Sequence, residues 1–134
     1  MGNIIGSYTV FDGTEDVGST NTVSNGIYTT DAKGERAQAM IRLDRPGIFS
    51  IFAQATSDGT TALSVECITN FVDSLTTAVE PEGMSNIIDL DDEDLHHIGF
   101  APPVTPFMGI KVTGTGSNHA STKVKIVLAF WEEN

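Results

Sequence analysis

The chain has 134 residues, 40% of them hydrophobic, which suits one domain with a real core and excludes global disorder. Eighteen acidic against seven basic residues give a formal charge of -11. Such a surface repels phosphate backbones and anionic lipid, so neither nucleic acid nor membrane is an expected partner.

Cys67 is the single cysteine, so an intramolecular disulfide is excluded. It falls on the predicted inward face of a strand, where a thiol behaves as a small hydrophobe. No apolar run reaches the length of about 18 residues that a membrane-spanning helix requires. The start MGNIIGSYTVFDG lacks the basic end and apolar centre of a signal peptide, and Ser7 falls one place late for a myristoylation pattern.

Residues 1–36 are dominated by Gly, Ser, Thr and Asn, with apolar residues singly or in pairs: Ile4 and Ile5, Tyr8, Val10 and Phe11, Val17, Val23, Ile27 and Tyr28. Asp12-Gly13 and Ser24-Asn25-Gly26 are turn signals. Two readings fit: an extended arm laid on the domain or on a neighbouring subunit, or the first strands of the fold, with short strands at 8–11 and 26–30. Residues 37–134 form the domain proper.

A strand is predicted over 38–43, followed by a turn at Asp44-Arg45-Pro46-Gly47. The segment 47–70 carries the clearest pattern. Phe49, Ile51, Ala53 and Ala55 share one face of a first arm, and Leu63, Val65 and Cys67 share one face of a second. Alternation with period two marks half-buried strands, and the intervening Asp58-Gly59 supplies a tight reversal, so a β-hairpin is predicted. Residues 71–80 read as a loop or short strand with one helical turn. Residues 81–106 read as a long connection, with a short strand over 86–90 and extended chain at Pro102-Pro103.

The segment 107–113 reads as a strand with Met108, Ile110 and Val112 on one face, and 114–121 as a glycine-rich turn. The last strand, 122–131, turns Val124, Ile126, Leu128 and Phe130 inward. Its other face becomes apolar at Val127, Ala129 and Trp131, which calls for a cover. Strands spaced by turns, with no long amphipathic helix, predict an all-β antiparallel sandwich, jelly-roll-like, with an extended N-terminal segment.

The chain shows no catalytic signature. The acidic residues Asp89, Asp91, Asp92, Glu93 and Asp94 invite Ca²⁺, yet positions six and twelve of an EF-hand loop begun at Asp89 would be Asp94 and Ala101, so that motif fails. His96 and His97 are adjacent and would point to opposite faces of a strand; His119 lies apart in a predicted turn. There is no Gly-x-Ser-x-Gly, and GTGSNHAS at 114–121 lacks the lysine of a phosphate loop. No catalytic residue, cofactor or metal is therefore expected. Trp131 is either the edge of the core or an interface anchor.

The order of pieces carries a resemblance. A strand ending in Pro-Gly is followed by GIFSIFAQATSDGTTALSVECITN, a long loop with Pro-Pro, then FMGIKVTGTGSNHASTKVKIVLAFW. Over about residues 38–131 this resembles the small β-sandwich virion proteins of tailed bacteriophages and prophages. The resemblance implies a non-enzymatic structural role as a capsid decoration (head-stabilising) protein, or a tail or fibre component. It implies a homo-oligomer, a trimer in the commonest form, bound to other virion proteins such as the major capsid protein and assembled into the virion in the host cytoplasm. The candidate oligomer interface is Val127, Ala129 and Trp131 with Ile4, Ile5 and Tyr8. The alternative is a carbohydrate- or receptor-binding module, assisted by calcium at residues 89–94.

Overall fold

A computed structural model describes residues 3–18, 22–25, 40–43, 49–56, 63–84, 86–101, 105–114 and 119–133. Among them are nine strands and no helix: β1 (Asn3–Gly18), β2 (Thr22–Asn25), β3 (Ile41–Arg42), β4 (Phe49–Thr56), β5 (Leu63–Asn70), β6 (Ile88–Leu90), β7 (His96–Phe100), β8 (Phe107–Gly114) and β9 (His119–Glu133). They form two sheets, one in the order β1-β9-β4-β7 and the other β2-β8-β5-β6, with β3 beside β8. Every pairing is antiparallel. The protein is an all-β sandwich.

The two sheets close on one core. Phe49, Ile51, Ala53 and Ala55 from β4 are buried with Val124, Ile126 and Leu128 from β9. Against them sit Leu63, Val65 and Cys67 from β5 and Met108, Ile110 and Val112 from β8. These are the inward sets that period-two alternation predicts. Removing this apolar surface from water is the main drive for the fold, at about 25 cal/mol per Å².

The pairing of β4 and β5 departs from the expectation. They do not form a hairpin: β4 lies between β9 and β7 in one sheet, and β5 between β8 and β6 in the other. Each strand already has two ladder neighbours, so the buried faces meet across the core rather than edge to edge. The predicted Asp58-Gly59 turn lies outside the described residues.

The region 81–106 is also more ordered than a connection. It contains β6, as expected near 86–90, and β7, which was not expected. Of the predicted strand at 38–43 the described part is β3 with the buried Met40. The predicted strand at 26–30 lies outside the described residues.

At the N-terminal end, β1 runs alongside β9 and β2 alongside β8, so the described part of residues 1–36 is built into both sheets. The β1–β9 ladder shifts register between Thr9 and Phe11. The irregularity lets two successive residues, Val10 and Phe11, both enter the core. Gly13 follows at φ 90°, a left-handed conformation that suits glycine and a turn-like kink in the strand.

Candidate functional site

The outer face of the β1-β9-β4-β7 sheet carries Val127 and Ala129 of the predicted apolar strip. Register aligns Thr9, Val127, Phe52 and His97 in one row across the four strands. Ser7, Ala129, Ser50 and Gly99 form the next. In the first row the ring of His97 lies flat on Phe52, centroids 4.0 Å apart and planes 4° apart. The two are directly opposed on neighbouring strands, which is the spacing at which cross-strand aromatic pairs stabilise a sheet. The second row carries only small side chains, so it leaves the sheet surface flat beside the Phe52–Val127 ridge. Farther along, Asp12 is aligned with Lys125, a charged pair on the same face.

The candidate interface residues divide. Val127 and Ala129 are half-buried on this outer face. The backbone aligns Ile5 with Trp131 and Ile4 with Glu132. Tyr8 is elsewhere. Aligned with the buried Leu128, it stacks on Phe130 at 5.0 Å and packs against the core. Phe130 in turn meets Phe49 edge-on at 5.7 Å.

The acidic segment is not gathered around one point. Asp89 Oδ1 accepts from Asn86 Nδ2 at 3.0 Å on the outside of the other sheet. Asp92 Oδ1 accepts from the Asp94 amide at 3.0 Å and lies 2.8 Å from His96 Nε2. Its hydrogen bond with His96 is the leading reason its carboxyl sits below the usual range, with the Asp94 amide next. Gln54 Nε2 donates to the Glu93 carbonyl at 3.0 Å, tying the segment to β4. Among the described residues no three His, Cys, Asp or Glu side chains are grouped to hold a metal. His96 and His97 do point to opposite sides: one toward Asp92, the other onto Phe52.

Cys67 is buried, and desolvation pushes its thiol up to about 12. A thiol so far from ionising is no nucleophile at neutral pH.

Two features on the β2-β8-β5-β6 side carried no clear sequence signal. Lys111 and Glu66 are aligned on β8 and β5, and the Lys111 ammonium lies 3.1 Å from Glu66 Oε2 and 2.7 Å from Glu80 Oε1. A cavity of about 150 Å³ opens beside them, lined by Glu66, Cys67, Glu80, Pro81, Met84 and Asn86.

The second feature is the loop after β5. Asn70, only 8% exposed, organises it. Its Oδ1 accepts from the amides of Phe71 at 2.8 Å and Val72 at 3.4 Å. Its Nδ2 donates to the Ser74 carbonyl at 2.9 Å and to Thr77 Oγ1 at 2.8 Å. The loop closes where Thr69 and Val79 exchange backbone hydrogen bonds of 2.8 and 2.9 Å. Asparagine suits this place because its short side chain can both accept from and donate to backbone groups a few residues on.

Comparison with protein-family models, curated proteins and solved structures gives no match.

Proposed function

We propose that this protein is a non-enzymatic structural protein of a tailed phage or prophage, which self-associates and attaches to a larger virion assembly as a capsid decoration protein does. The observation that carries the reading is the outer face of the β1-β9-β4-β7 sheet. There the Phe52–Val127 ridge borders a flat row of small residues, a surface that a second copy can approach closely. The nested pairs β1–β9, β2–β8, β4–β7 and β5–β6 support a jelly-roll winding, an architecture used in viral shells. The resemblance over about residues 38–131 points the same way, with a homotrimer as its commonest form. The expected genomic setting is a locus whose neighbours encode a capsid protein, a protease and a terminase.

Size-exclusion chromatography with light scattering tests the self-association. The expected mass is a small multiple of the monomer mass. Val127→Asp places a carboxylate in the contact and is expected to lower that mass toward one subunit. Because copies carrying -11 each repel, added salt is expected to tighten the association. A wild-type protein that is monomeric at all salt concentrations refutes the reading.

A further inference from the structure

We propose that the 70–79 loop is a preorganised docking knob for a second kind of protein, one whose surface offers an apolar pocket rimmed by Lys or Arg. Phe71 is 81% exposed and Val79 63% exposed, with Val72 beside them. An exposed phenylalanine on a mobile loop would be unremarkable. This loop is held at its base by the four hydrogen bonds of Asn70 and by the Thr69–Val79 bridge. The amide of Met40 donates to Asp73 Oδ1 at 2.8 Å, and Thr105 Oγ1 donates to the Asn70 carbonyl at 3.1 Å, so two other segments also hold it. Ordering entropy is therefore lost during folding rather than on binding, and aromatic anchors held this way are what binding hot spots consist of.

Charge selects the occupant. Asp73, Glu80 and Glu82 flank the knob, and the nearby Lys111 is engaged by Glu66 and Glu80. A second copy of this chain, itself at -11, is repelled from that rim, whereas a basic rim is attracted. The knob is on a different surface from the Phe52–Val127 face, so this inference stands apart from the self-association reading.

The test uses the full chain and a synthetic amphipathic helix of leucine and lysine, which offers an apolar stripe bordered by cations. Titration is followed by amide chemical shifts. Resonances of 71–73, 79, 80 and 82 are expected to move, and Phe71→Ala is expected to weaken binding at least tenfold with unchanged thermal unfolding. Val79→Ser, also at an exposed position, is expected to weaken binding severalfold. A matched helix of leucine and glutamate is expected not to bind. Equal affinity of the Phe71→Ala variant and wild type, perturbation centred elsewhere, or no binding at millimolar peptide overturns the proposal. A fall in oligomeric mass in the Phe71→Ala variant also overturns it, because the knob would then be a contact between copies.

Discussion

Asn70 and Cys67 lie three residues apart on β5 and illustrate two opposite uses of burial. Asn70 satisfies two amides and spends both of its own donors. Asn70→Ala leaves the Phe71 and Val72 amides without their acceptor and is expected to cost about 2 to 3 kcal/mol, read as a lower urea midpoint at unchanged slope. Cys67 instead is shut away from water as a neutral group. Its folded pKa, about 12, lies above the ordinary 9.0, so the unfolded chain gives up this proton first as pH rises. Stability is therefore unaffected below about pH 9 and declines above it, by at most about 1.4 kcal/mol per pH unit from this group. Urea titrations from pH 7 to 11 are expected to show the decline in wild type and a smaller one in Cys67→Ala. The thiol's burial was legible in the sequence because Cys67 continues the Leu63, Val65 alternation. The role of Asn70 was not, because it depends on where the chain goes over the next nine residues.

At the scale of strands, period-two patterning identifies which face is inward but not which strand lies alongside. For this reason the inward sets of β4, β5, β8 and β9 were readable while the β4–β5 pairing was not. β7 escaped because HHIGF has no alternation: His97 stacks outward on Phe52 and Ile98, although aligned with the buried Ile51, is 43% exposed at the sheet edge. The packing of Tyr8 on Phe130 and the core was not readable, because the register of β1 against β9 cannot be known before the partner is. The strand order predicts a gradient of protection. β9 and β4 are interior to one sheet, and β8 and β5 to the other, whereas β3 and β6 have two and three residues. Hydrogen exchange is expected to be slowest at 51–54, 65–68, 110–112 and 124–128, and faster by orders of magnitude in β3 and β6. Equal protection throughout would contradict this ordering.

Taken whole, the molecule presents one charged, apolar-striped face and one polar face bearing a fixed aromatic loop. The fold class was legible because turn residues and short alternating segments recur along most of the chain. The surfaces were only partly so. Val127 and Ala129 stood out as apolar residues on an outward phase, but their row with Phe52 and His97 exists only once four strands from distant parts of the chain are aligned. The nested pairing that aligns them also sets a timetable. Asn3 faces Glu133 across the β1–β9 ladder, so β1 waits for a strand made much later before it can be zipped into place. Until β9 has been made, β1 travels as an open template, because the strand it pairs with does not yet exist. Nascent chains are thus at their stickiest in the interval between the synthesis of β1 and that of β9, when the unpaired edge of one chain can meet the same edge of another.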